Sequence, residues 1–169
     1  MKNWYALYLQ PRKEKVVEIE LKKRGYDVYL PIRRELRQWK DRKRWVETPL
    51  INSYIFTNIE EREIWDIVRI SGCVKFIWFN GKPAAIPYHQ IDSIKLLLEK
   101  EVDIEFENNI AFSRGERVMI KEGDFAGLTG IIKHKGDKNN FAVRIDSLGI
   151  DLTITLDKDN LNSVENIEN

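Results

Sequence analysis

A chain of 169 residues, 43% apolar and 33% charged, has room for one ordinary domain or two small ones, and its 5 Trp, 6 Tyr and 7 Phe are spread too evenly for long disordered tracts. The longest run without charge, Thr48 to Ile59, holds Pro49, Asn52, Ser53 and Asn58 and is too short to cross a bilayer. The opening Met1-Lys2-Asn3-Trp4-Tyr5 has no apolar signal core, so a cytoplasmic protein without membrane association is expected. The single Cys73 excludes an internal disulfide and a multi-cysteine metal site, and His89 and His134 lie far apart. No metal or cofactor is expected, and Cys73, between Gly72 and Val74, reads as a buried small apolar side chain. The net charge of +1 conceals a division: residues 1–100 carry 20 Lys and Arg against 13 Asp and Glu, whereas residues 101–169 carry 8 against 14. Such asymmetry suits a first part that meets an anionic polymer and a second that meets something else, or two parts that meet each other.

Trp4 to Gln10 is rich in aromatic and β-favouring residues and reads as a strand. Pro11 fits the first turn of a helix running to Arg24, with Gly25 as its stop. Val17 and Leu21 mark its apolar face with Val16 and Ile19 beside them, and Glu14, Lys15, Glu18 and Lys22 lie opposite. Tyr26 to Leu30 is a second strand closed by Pro31. The segment Arg33 to Trp45 then carries seven basic residues against two acidic ones. Asn52 to Asn58 reads as a strand, Glu60 to Ile70 as a helix opened by acidic residues, and Val74 to Phe79 as a strand, which gives the order β-α-β-β-β-α-β. Asn80-Gly81-Lys82-Pro83 is a turn, and His89 to Lys100 a third helix with Ile91, Ile94, Leu97 and Leu98 on one face.

The acidic stretch from residue 101 to 111 reads as a linker, dividing a domain at 1–100 from one at 112–165. The second has short strands at Glu116–Lys121, Thr129–Lys135, Asn140–Ile145 and Asp151–Leu156, a pattern that indicates a small β-barrel. Val118, Ile120, Ile131 and Val143 would fill an interior too small for a ligand, and glycines at 115, 123, 127, 130 and 149 favour strands and tight turns over an all-helical alternative.

Gly115-Glu116-Arg117-Val118-Met119-Ile120 followed by Gly123-Asp124-Phe125-Ala126-Gly127-Leu128-Thr129-Gly130-Ile131-Ile132 resembles the KOW motif. Trp4-Tyr5-Ala6-Leu7-Tyr8, Pro11-Arg12-Lys13-Glu14-Lys15, Gly25-Tyr26-Asp27-Val28-Tyr29-Leu30-Pro31 and Pro49-Leu50-Ile51-Asn52-Ser53-Tyr54-Ile55-Phe56 resemble, in order, the N-terminal domain of the NusG family of transcription factors. The resemblance spans nearly the whole chain. It implies an α+β fold, with an N-terminal antiparallel sheet flanked by helices and a C-terminal five-stranded SH3-like KOW barrel.

In function, the resemblance implies a monomer whose first domain grips the clamp helices of the largest RNA polymerase subunit and suppresses pausing. Tyr8, Tyr54 and Phe56 match the family's aromatic contact positions, and Ile51 stands where an aromatic is usual. By strand alternation Tyr54 and Phe56 share one face; sheet core is the competing role for all four. Arg12, Lys13, Lys15, Lys23 and Arg24, with Arg37, Lys40, Arg42, Lys43 and Arg44 of a hairpin-like segment, suit phosphates near the upstream fork. A solvated charged face is the plainer role for the helix. In RfaH-like members the end of the first helix reads bases of the non-template strand; Lys23 and Arg24 match those positions, but Glu20 replaces a histidine. Trp39 and Trp45 suit stacking on a single strand or capping each other across a hairpin. Glu63-Ile64-Trp65 stands where RfaH-like members carry a gate-loop contact, which therefore does not transfer.

In the second domain, Phe125 and the loop Ser147-Leu148-Gly149-Ile150 match the family's recruiting surface for Rho or the ribosomal protein NusE, with Leu148 where a Phe is usual. Asn52-Ser53 in place of Pro-Gly and the basic 33–44 segment favour a specialised paralogue, RfaH-like or UpxY-like, acting on operons such as those for surface polysaccharides. No Gly-rich phosphate loop, metalloprotease helix or nucleophile elbow is present, so no enzymatic activity is expected. The alternative is a ribosome-associated KOW protein that binds structured RNA; the acidic second part weighs against it.

Overall fold

The computed structural model describes residues 1–108, 116–135, 138–156 and 164–166. They divide into two units, Met1–Pro87 and Tyr88–Asn169. In the first unit the chain forms β1 (Asn3–Leu9), α1 (Glu14–Lys23), β2 (Asp27–Tyr29), β3 (Ile32–Gln38), β4 (Lys43–Pro49), β5 (Tyr54–Ile59), a 3-10 turn at Glu61–Glu63, α2 (Ile64–Val68), β6 (Cys73–Phe76), β7 (Trp78–Phe79), β8 (Lys82–Pro83) and β9 (Ala85–Ile86). β2, β5, β1 and β6 lie side by side in an antiparallel sheet, and β9 adds to the end of β1 at Trp4 and Tyr5. β3 and β4 form a separate two-stranded hairpin.

Alternation along the two central strands explains the layers. Tyr5, Leu7 and Leu9 of β1 and Ile55 and Ile59 of β5 share a core with Val17 and Leu21 of α1 and Ile64 and Ile67 of α2. The helices therefore cover this face of the sheet, and Trp4, Ala6, Tyr8, Tyr54 and Phe56 point the other way. α1 begins three residues later than expected from Pro11 and ends where Gly25 adopts φ +85°. Its buried stripe is Glu14, Val17 and Leu21. Val16 and Ile19, expected beside the apolar face, are exposed, and Glu14, expected opposite, is buried. Successive positions at i, i+3 and i+7 fall on one side of a helix, and those at i+2 and i+5 do not. α2 is shorter than the expected 60–70 helix because a capping box at its entry, with Glu63 Oε2 accepting from the Glu60 N–H at 2.8 Å, fixes a 3-10 turn first. Asn80 and Gly81 both take positive φ, 49° and 75°, as the two-residue turn joining β7 to β8 requires.

In the second unit α3 (Tyr88–Glu99) is followed by β10 (Glu105–Asn108), β11 (Glu116–Ile120), β12 (Thr129–Lys135), β13 (Lys138–Ile145), a 3-10 turn at Asp146–Leu148, β14 (Ile150–Thr155) and β15 (Val164–Asn166). The third helix thus groups with the second unit rather than with the first hundred residues. It packs against β12 and β13, buries Ile91, Ile94 and Leu97, and donates from Gln90 Nε2 to Asp146 Oδ2 at 2.7 Å. Periodicity shows that a helix has an apolar face but not which sheet receives it.

The strands of this unit run antiparallel in the order β10-β14-β13-β12-β11-β15. Among the described residues six strands pair in this order and no pairing joins β15 to β10, so no closed five-stranded barrel is found there. β10 lies inside the stretch read as a linker. In sequence, Ile104 and Phe106 alternate with Asp103, Glu105 and Glu107, which is a strand pattern that the acidity obscured. Residues 109–111 of that linker, Gly115 and residues 157–163 lie outside the described residues. Val118, Ile120 and Val143 are buried as expected, whereas Ile131 is only half-buried. Gly123 and Gly127 take positive φ, and Gly130 serves close approach: a Cβ there would lie 2.5 Å from the Ala142 carbonyl oxygen and 2.6 Å from the Phe141 ring. A bidentate pair crosses β13 and β14, with Arg144 Nε 2.8 Å from Asp151 Oδ1 and Nη2 3.1 Å from Oδ2. The hydrogen bonds to the fully buried Asp151 carboxylate raise the Arg144 pKa above its ordinary value. Among the described residues no helix is long and apolar enough to cross a membrane.

Candidate functional site: an aromatic sheet face and a basic hairpin

On the face of the first sheet away from α1 and α2, Tyr8 and Tyr54 are direct cross-strand partners, with ring centroids 5.2 Å apart at 53°. Both are half-buried, and burial, with a smaller effect from Tyr8, raises the Tyr54 hydroxyl above its ordinary pKa. Phe56 lies on the same face two residues on, as alternation requires, and stacks on Tyr29 of β2 with centroids 6.4 Å apart. Phe56 is fully buried and Ile51 is 4% exposed. Of the four residues that resemble the family's contact positions, Tyr8 and Tyr54 therefore present surface, whereas Phe56 and Ile51 are buried. Tyr29, not singled out in the sequence, belongs to the same row; its position after the inward Val28 was the available signal.

The approach to Tyr54 is conformationally unusual. Ser53 sits at φ +63°, a left-handed conformation that costs a side-chain-bearing residue about 1–2 kcal/mol. Its N–H donates to the buried Glu14 Oε1 at 2.8 Å, and its carbonyl accepts from the Leu9 N–H at 2.8 Å. The first turn of α1 thus holds the start of β5 in register beside β1. Arg12 also has positive φ, at 65°.

The basic residues fall into three groups. Arg12, Lys13 and Lys15 lie at the start of α1, and Lys15 Nζ is 3.8 Å from Glu47 of β4, which places this end of the helix next to the hairpin. Lys23 and Arg24 lie at the other end; Arg24 Nε bonds Glu20 Oε1 at 2.7 Å, so the residue standing in place of a histidine neutralises its neighbour. The third group is the hairpin. Its strands pair from Ile32↔Pro49 to Gln38↔Lys43, and the Trp39 N–H donates to the Arg42 carbonyl at 2.8 Å to close the turn. Every residue from Leu36 to Trp45 is exposed. Trp45 pairs with Leu36 rather than with Trp39, so the two tryptophans do not cap each other. Arg37 is bonded to Glu35, whereas Lys40, Arg42, Lys43 and Arg44 have no ion-pair partner among the described residues.

Near α2, Trp65 and Trp78 form an exposed pair with centroids 6.2 Å apart, beside the exposed Phe79. In the expected gate-loop position Glu63 is used by the capping box and Ile64 is core, leaving Trp65 alone outward. In the second unit, Phe125 and Ile150 are largely buried, and Leu148 and Gly149 are half-exposed on the 3-10 turn, where Gly149 has φ +62°. Burial pushes the Cys73 thiol up to about 11, in keeping with an inert side chain. Among the described residues no group of His, Cys, Asp and Glu could hold a metal ion.

Comparison with known proteins bears on the first unit most directly. Residues 2–95 match the family model described as transcription termination factor NusG. The solved structure "Domain interaction in Thermotoga maritima NusG" is similar over 99% of this chain and 98% of that one, with a TM-score of 0.52 and 21% identity. Two conformations of an MjSpt4:Spt5 complex align with TM-scores of 0.29 and 0.30 at 15% and 14% identity, over 98% of this chain and 98% and 97% of those. No curated protein gives a significant match. The family model covers more than half of the 169 residues, and the chain belongs to the NusG family of transcription factors.

Proposed function

We propose that this protein is a non-enzymatic, monomeric elongation and antitermination factor that binds RNA polymerase through its first unit. The carrying observation is the half-exposed Tyr8–Tyr54 pair within the family-matched region, set on the sheet on the same face as the buried Phe56. Two rings held at 5.2 Å give large contact area with little entropy left to lose, which suits a helix tip such as that of the clamp helices of the largest subunit. Arg12 and Lys13, at the end of α1 beside the hairpin, and Lys23, at the other end, have no ion-pair partner among the described residues and suit phosphates of the non-template strand near the upstream fork.

The second unit acts as a KOW-type module that recruits Rho or NusE through the half-exposed Leu148 and Gly149, whereas Phe125 and Ile150 are largely buried. The departure at Asn52-Ser53 and the basic hairpin support a specialised cytoplasmic paralogue acting on particular operons, such as surface polysaccharide loci.

The test is binding of the full chain to a core RNA polymerase elongation complex, with pause lifetimes followed on the same template. Tyr54→Ala should weaken binding by about 2 kcal/mol, the size of an interface hot spot, and lengthen the pauses that the parent shortens. Exposed Val16→Ala should change neither. Absence of polymerase binding, with structured RNA held by the second unit instead, would transfer the protein to the ribosome-associated class.

A further inference from the structure

Strand pairing carries the aromatic face of the first sheet one strand beyond the two tyrosines. Tyr8 of β1 is the cross-strand partner of Tyr54 on one side and of Lys75 of β6 on the other. Directly paired residues point to the same side of a sheet, so Tyr54, Tyr8 and Lys75 form one row. The neighbours of Lys75 agree with this side. Phe76 lies in the core beneath α1 and α2, edge-on to Tyr5 with ring centroids 6.4 Å apart at 89°. The register slips between Tyr8 and Leu9, where Leu9 pairs with Cys73 and Val74 is the extra residue. This bulge lets Cys73 and Phe76 both pack toward the helix-covered core although strict alternation would separate them, and it leaves Lys75 turned out beside Tyr8.

The next row of this face, two residues along, is closed: Phe56 and Ala6 are fully buried. Lys75, in contrast, is exposed and has no ion-pair partner among the described residues. A cation in this place sets a condition on whatever covers the two rings. A segment seated on Tyr8 and Tyr54 takes water from the neighbouring ammonium, and a desolvated charge without an acceptor offsets what the ring contacts contribute. One cation beside two rings fits one carboxylate. A nucleic-acid strand brings a charge at every nucleotide and calls for several cations, and Lys75 is the only one in its row.

We propose that Lys75 is a specificity-determining residue of the polymerase-binding face: it pairs with a carboxylate on the helix tip that seats on Tyr8 and Tyr54, and so selects an acidic tip over a neutral or basic one. The inference rests on the reading that this face meets polymerase and adds the chemistry that its partner carries.

The test measures binding of the full chain to core RNA polymerase, with and without a nucleic-acid scaffold, for Lys75→Gln, Lys75→Glu, Lys75→Arg and Tyr54→Ala. Lys75→Gln should weaken binding roughly tenfold and Lys75→Glu roughly a hundredfold. Lys75→Arg should bind like the parent, and the losses should be the same with and without the scaffold. When the acidic residues at the tip of the clamp helices are changed to lysine one at a time, one change should weaken the parent and restore Lys75→Glu. A lysine with a structural role alone would show no such reciprocal rescue. Lys75 is exposed, so each variant should melt at the temperature of the parent. Lys75→Glu binding like the parent while Tyr54→Ala does not would overturn this inference and leave the polymerase reading standing; a parent that fails to bind polymerase would overturn both. A loss that no reversed carboxylate restores, or one confined to complexes that contain nucleic acid, would also overturn it, the latter by assigning Lys75 to phosphate.

Discussion

Ser53→Gly should stabilise the protein even though it removes a side chain. Ser53 occupies φ +63°, where a Cβ costs about 1–2 kcal/mol, while glycine's greater freedom in the unfolded chain returns about 0.5–1 kcal/mol of that gain. The net expectation is a stabilisation of about 0.5–1 kcal/mol, or roughly 2–8 °C in the melting temperature for a unit of this size. Glu14→Ala should act in the opposite sense, because it strips the acceptor from the Ser53 N–H and opens a gap at the start of α1; a loss of about 1–3 kcal/mol is expected. Thermal unfolding of the full chain by circular dichroism, with the double variant completing a cycle, reads both. The hydrogen bond runs from the backbone of residue 53, so the two changes should be nearly additive. A destabilised Ser53→Gly, or a neutral Glu14→Ala, would refute the view that this contact holds β5 in a left-handed entry before Tyr54.

Gly130→Ala should cost about 1–3 kcal/mol, read by urea unfolding, because its Cβ would press on the Ala142 carbonyl and the Phe141 ring. Asp151→Ala should cost about 3 kcal/mol by leaving the largely buried Arg144 without its carboxylate; a loss under about 1 kcal/mol would contradict a built-in pair. With its pKa pushed up to about 11, the Cys73 thiol should resist alkylation by iodoacetamide at pH 8 and react faster as pH rises toward that value. Its linkage has a definite sign: the raised value favours the neutral thiol in the fold, so this contribution is complete below the ordinary 9.0 and is lost as pH rises through about 11.

Local chemistry with one dominant cause was legible in the sequence. Asn80-Gly81 fixed its turn because two successive positive φ angles select those residues, and Gly25 ended α1 for the same reason. Tyr54 and Phe56 fell on one face because strand alternation admits no other arrangement. What was missed depended on partners distant in sequence. Glu14 reads as a solvated charge until Ser53, 39 residues away, needs an acceptor. The acidic Glu105–Asn108 reads as linker until β14 pairs with it. Arg144 and Asp151 look like two more surface charges until the register of β13 and β14 sets them face to face. At the candidate site, sequence alone joined ten basic residues into one group. The structure separates the two ends of α1 and shows Arg24 and Arg37 already engaged by carboxylates. Composition cannot make that distinction, because it depends on which charges lie within reach of one another.

The central claim is that Tyr54 lies against RNA polymerase when the factor acts. A photo-crosslinking amino acid placed at position 54 of the full chain, activated in an assembled elongation complex, tests it most directly. The expected product joins the protein to the largest polymerase subunit within the clamp helices, and it should disappear when those helices are deleted. A crosslink to no polymerase subunit, in complexes where the same probe at position 148 reacts with ribosomal RNA or protein, would contradict the claim.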